Sequence, residues 1–95
     1  MGHYADKSKY NLSVQYYKGV PLRLIQYTEE HFSAVRAKRF MIHGSTQNIW
    51  VPNTYLEPDG TIKATANLDW LFSKAKEKHK LELAGITFDP KEGER

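Results

Sequence analysis

RFMIHGSTQNIWVP, residues 39–52, is the stretch on which the fold turns. Phe40 and Ile42 before the polar GSTQ loop, and Ile49 and Val51 after it, alternate with Met41, His43, Asn48 and Trp50. That is the two-residue period of paired strands with one buried face. A four-residue loop at residues 44–47 sets Ile42 opposite Ile49 and Phe40 opposite Val51. The reverse face then pairs Met41 with Trp50, His43 with Asn48 and Arg39 with Pro52. Pro52 has no N–H for a ladder, so the returning strand, residues 48–55, ends there or lies at a sheet edge. The outgoing strand is expected from about Ser33, because Val35, Ala37, Arg39 and Met41 keep the same period. The alternative for residues 29–39 is a short helix capped by Thr28, with Glu29 and Glu30 in its first turn.

Upstream, Tyr10, Leu12, Val14 and Tyr16 alternate with Asn11, Ser13 and Gln15, and Leu22 and Leu24 resume the period after Gly19. This predicts a hairpin over residues 10–28. A two-residue loop at Lys18-Gly19 would place Gln15 opposite Leu22 and Val14 opposite Arg23, mixing polar with apolar partners. A three-residue loop, Lys18-Gly19-Val20, pairs Tyr16 with Leu22 and Val14 with Leu24. A register slip of one residue turns every side chain over, so the apolar pairing is expected, with Val14 and Leu24 inward and Tyr17 outward.

Downstream, Glu57-Pro58-Asp59-Gly60 reads as a turn, with Pro presetting φ and Gly closing it. Asn67 or Thr65 caps a helix running to about Leu83, and Gly85 is placed to stop it. Leu68, Leu71, Phe72, Ala75 and His79 fall on one stripe at about 100° per residue, the expected core side. Trp70 and Leu81 project from nearly the opposite side, near Lys74. Ile86 and Phe88 either add a short edge strand or fold back on the sheet.

These elements sum to an α+β fold: an antiparallel sheet of about four strands, made of two hairpins, with one C-terminal helix on one face. A chain of 95 residues has room for one such domain. It is expected over residues 10–88, between a flexible lead-in at 1–9 and a charged tail at 89–95. Cysteine is absent, which excludes disulfides, thiolate metal sites and cysteine nucleophiles. No apolar run approaches the roughly 20 residues of a membrane helix, and the first residues lack a secretory apolar core. A soluble cytoplasmic protein without membrane contact is the expectation. Fourteen Lys and Arg against eleven Asp and Glu give a net charge of +3, which permits a polyanionic partner without requiring one.

No catalytic constellation stands out. The fragments His43-Gly44-Ser45-Thr46 and Pro58-Asp59-Gly60 lack the flanks of a nucleophile elbow or a phosphate loop, and turn chemistry accounts for both. The carboxylates are scattered. His3, His31, His43 and His79 share no ligand spacing, so neither a metal nor another cofactor is expected. Lys74, Lys76, Lys78 and Lys80 alternate between two flanks of a solvated helix. Two surfaces remain. Trp70 and Leu81, with Lys74, form a candidate protein interface or homodimer seam, since an exposed Trp in a small domain commonly anchors a contact. Tyr17, Tyr27, Arg23, Arg39 and Trp50 on the outer sheet face form a candidate surface for single-stranded nucleic acid, whose bases stack on aromatic rings.

Ile49-Trp50-Val51-Pro52 resembles an I-W-[IV]-P strand ending of small uncharacterised phage and prophage proteins. The resemblance spans about residues 40–56, implies an accessory protein of a mobile element, and carries no functional residue across. The expected function is a non-enzymatic protein-binding or adaptor module of such an element, open to self-association; the alternative is a single-stranded nucleic-acid-binding module using the aromatic and basic sheet face.

Overall fold

The computed structural model describes residues 9–25 and 36–88. Four strands form one antiparallel meander in the order β1-β2-β3-β4: β1 (Gln15–Tyr17), β2 (Val20–Leu24), β3 (Ala37–Ile42) and β4 (Asn48–Pro52). A 3₁₀ turn (Asn53–Tyr55) follows, then two short helices, α1 (Asp69–Phe72) and α2 (Ala75–Leu83). The helices cover one face of the sheet. Val20, Leu22, Leu24, Phe40, Ile42, Ile49 and Val51 from the strands, with Leu68, Leu71, Phe72 and Leu81 from the helical side, are essentially sealed from solvent. This is the α+β architecture of two hairpins and a C-terminal helical layer.

The first hairpin takes the two-residue loop, which corrects the expected register. Gln15 pairs with Leu22, Tyr16 with Pro21 and Tyr17 with Val20. Lys18 and Gly19 both have positive φ, 48° and 86°, the type I′ geometry whose twist matches the flanking strands. The two polar residues this turns inward are fully employed. The Gln15 amide donates to the Gly60 carbonyl (3.0 Å) and its oxygen accepts from the Ile62 N–H (2.8 Å). Tyr17, expected outward, is buried, and its hydroxyl reaches the start of α1. The strand also begins later than expected. Residues 10–14 leave the sheet, and Asn11 donates from its backbone to Asp59 and from its side chain to Thr61.

The second hairpin keeps its predicted faces but slides by two residues along them. Phe40 lies opposite Ile49, Arg39 opposite Trp50 and Met41 opposite Asn48. Ser45 causes the shift. Its hydroxyl donates to the Ile42 carbonyl (2.8 Å) and accepts from the Gln47 N–H (3.1 Å), so the loop closes on the Ile42–Gln47 pair and comprises residues 43–46. β4 stops at Pro52 instead of continuing to Tyr55. The Asn48 carbonyl beside its outer edge accepts from the Lys80 ammonium (2.8 Å). Of the segment joining β2 to β3, only its ends are described. The expected strand start at Ser33 and the alternative helix lie outside the described residues.

The single expected helix is two. Ser73 ends α1, and Lys74 stands in an extended conformation (ψ 143°) before α2 starts. The break resets the helical phase. An unbroken helix would have buried Ala75 and His79, whereas both are exposed and Leu81 is buried at 1% exposure. Burying a leucine contributes about 1.5–3 kcal/mol, far more than an alanine or a half-polar imidazole in the same place. α2 ends as expected at Gly85: the Gly85 N–H donates to the Glu82 carbonyl and the Ile86 N–H to the Leu81 carbonyl, the paired bonds of a Schellman motif. Ile86 and Phe88 then fold back onto the core, with the Phe88 ring 5.4 Å from Phe72 and 6.3 Å from Tyr17.

The Glu57–Gly60 turn is fixed twice. Gly60 has φ 88°, and a Cβ there would lie 2.7 Å from Cδ2 of the buried Leu24. Gly60→Ala is expected to cost about 2 kcal/mol through left-handed strain and overpacking together. Chemical denaturation checks it; an unchanged midpoint would show that Leu24 moves aside freely.

Candidate functional site

The strand alternation that buries Leu22, Phe40, Ile42 and Ile49 sends the intervening side chains to the other face. Tyr16 on β1 is 71% exposed and Trp50 on β4 is 42% exposed. Between them, on the two central strands, Arg23 lies opposite Met41, and Arg39 lies opposite Trp50. The two arginines are therefore diagonal neighbours in the middle of the face, a relation that brings long side chains within reach of one another. Arg39 sets its guanidinium over the Trp50 ring, 5.9 Å from the centroid, a cation–π geometry. Its Nε is shielded from solvent with no acceptor. Pro21, Ile25, Ala37 and Pro52 share this face by parity, and His43 lies exposed at its end beside Pro21. Among the described residues, the face holds no Asp, Glu or Lys.

The helical side gives a smaller cluster. Trp70 is 41% exposed, with the Tyr55 ring at 6.0 Å and the Lys74 ammonium 5.0 Å from its centroid. Trp70 and Lys74 thus meet at the surface as expected. Leu81 does not join them; the helix break carries it into the core, which removes it from the candidate interface. Tyr55 is the member that sequence reading missed, because a 3₁₀ turn after Pro52 sets it against α1.

Of the five outer-face candidates, Arg23, Arg39 and Trp50 are brought together. Tyr17 is withdrawn by the corrected register, and Tyr27 lies outside the described residues. Tyr16 takes the place foreseen for Tyr17.

Tyr17 instead forms a structural hub. Its hydroxyl donates to Asp69 Oδ1 (2.5 Å) and accepts from the Leu68 N–H (2.8 Å), while Lys18 Nζ holds Asp69 Oδ2 at 2.9 Å. Burial, and then the Asp69 carboxylate, push the Tyr17 pKa up to about 12. The Tyr17 hydroxyl, with help from the Lys18 ammonium, holds the Asp69 carboxyl below the usual carboxylate range. This cluster docks the turn of the first hairpin onto α1.

A cavity of about 290 Å³ lies between the helices and the returning tail, walled by Phe72, Leu81, Ile86 and Phe88 with Lys78 and Glu82 alongside. The hydroxyl residues Ser73 and Thr87 line it as well. His43 and His79 are exposed on separate elements, while His3 and His31 lie outside the described residues. Among the described residues no group of three or more His, Asp or Glu is placed to hold a metal ion, and no helix is long and apolar enough to cross a membrane. No family model, curated protein or solved structure matches the chain.

Proposed function

We propose that this chain is a non-enzymatic protein-binding module whose working surface is the open face of its sheet. The composition of that face carries the reading. It combines Trp50, Tyr16, Met41, Arg23 and Arg39, with no Lys, Asp or Glu among the described residues. Aromatic residues, Met and Arg are the types enriched at protein interfaces, and Lys, Glu and Asp are the types depleted there. The resemblance of the I-W-V-P ending adds a mobile-element setting to the proposal. The Trp70 cluster is the lesser surface, because it gathers fewer side chains, Trp70, Tyr55 and Lys74.

A photo-crosslinking amino acid at Tyr16, introduced into the full chain in its source cell, tests the assignment against the same group at Trp70. A discrete adduct is expected from position 16. Trp50→Ala should abolish it, since loss of an interface anchor weakens binding by about 2 kcal/mol or more. Adducts from position 70 alone would transfer the function to the helical side.

A single-stranded nucleic-acid module is the second reading, favoured by the aromatic rings and guanidiniums on one face. It predicts tight binding of an oligothymidylate with steep salt dependence.

A further inference from the structure

We propose that the partner on the open sheet face is an acidic protein segment, whose carboxylates meet Arg23 and Arg39 while its apolar side chains cover Trp50, Met41 and Tyr16. This rests on the reading of that face as the binding surface.

The position of the arginines is the starting point. Both lie on the central strands, so a partner that covers the face covers them. Burying a cation without a counter-charge is strongly unfavourable, and among the described residues the face offers none of its own. The ion pairs among the described residues, Lys18–Asp69 and His79–Glu82, lie elsewhere. The partner must therefore bring the negative charge. A second copy meets this requirement poorly, because a two-fold contact on this face would add two more arginines and, among the described residues, no carboxylate.

Phosphates would also neutralise the arginines, but the rest of the face suits side chains better. Pro21, Ile25, Met41, Ala37 and Pro52 offer aliphatic surface, and a backbone-tracking site draws on more cations than two. An acidic segment with interspersed apolar residues matches both halves of the face. Carboxylates opposite an arginine pair also speed encounter and fix register.

The test pans a yeast-displayed random dodecapeptide library against the full chain, with counter-selection on Trp50→Ala. The strongest peptide is then measured by fluorescence anisotropy on wild type, on Trp50→Ala and on Arg23→Gln/Arg39→Gln, each variant first checked by its melting curve. The recovered peptides are expected to be enriched in Asp and Glu and to lose binding on Trp50→Ala. Replacing their Asp and Glu with Asn and Gln should weaken binding about tenfold or more, and that loss should largely vanish on the double arginine variant. Trp50-dependent peptides without acidic enrichment would overturn the acidic partner and leave the surface standing. Recovery of no Trp50-dependent peptide would overturn both. An oligothymidylate that binds more tightly than any recovered peptide, with affinity lost on the double arginine variant, would replace the acidic segment with nucleic acid.

Discussion

Phe72→Ala is expected to cost about 3–5 kcal/mol, whereas Lys76→Ala stays within about 0.5 kcal/mol. Phe72 is wholly buried at the end of α1. Its ring stacks on Tyr17 at 5.8 Å and meets Phe88 at 5.4 Å, so it joins the first hairpin, α1 and the returning tail. It also walls the cavity beside Leu81, and truncation would enlarge a space the surrounding chain already fails to fill. Lys76 is exposed on α2 and is not part of this packing. Urea midpoints of the two variants provide the measurement. Similar midpoints would mean that the helical layer contributes little to the fold.

Tyr17→Phe is expected to cost about 3 kcal/mol, the second-largest effect. The ring and its stacking survive, but two bonds of the hydroxyl are lost. One is made to a carboxylate, and the other leaves the buried Leu68 N–H without its acceptor. A double-mutant cycle with Asp69→Asn isolates the first, and strong non-additivity is expected. The same hydroxyl gives an alkaline signature. The folded-state pKa of about 12 exceeds the ordinary tyrosine value of 10.0, so the folded state holds its proton longer. The stabilisation is complete below pH 10 and is lost as pH rises toward 12. At the acid end the sign reverses. Asp69 has a depressed folded pKa, so its contribution is present above the ordinary carboxylate range and disappears as pH falls through the folded value. Tyr17→Phe should flatten the alkaline limb; a limb of equal depth in the variant would assign it to other groups.

The sheet was legible because Phe40, Ile42, Ile49 and Val51 state their face unambiguously, and even the slide of two residues left that face intact. The first hairpin was misread for a physical reason. Hydropathy ranks Gln15 as outward and says nothing of the Gly60 carbonyl and Ile62 N–H waiting for it inside. The long-range bonds that reward an inward Gln or Tyr come from residues more than forty positions away. The helix break was hidden for a similar reason. Ser73 and Lys74 carry no Gly or Pro signal, and the gain from burying Leu81 belongs to the assembled core. Arg23, Arg39 and Trp50 were legible as a group because strand parity suffices to place them. Tyr16 and Tyr55 required the true turn geometries.

The Lys80 ammonium on the Asn48 carbonyl has a bearing on assembly. β4 is an edge strand, and its outward backbone groups would ordinarily accept another strand. Pro52 lacks a donor at one end of that edge, and Lys80 occupies an acceptor at the other. The opposite edge, β1, is only three residues long. The sheet is thus framed by edges that discourage strand-by-strand growth. Under the proposed function, such edges favour a complex of fixed stoichiometry over filaments.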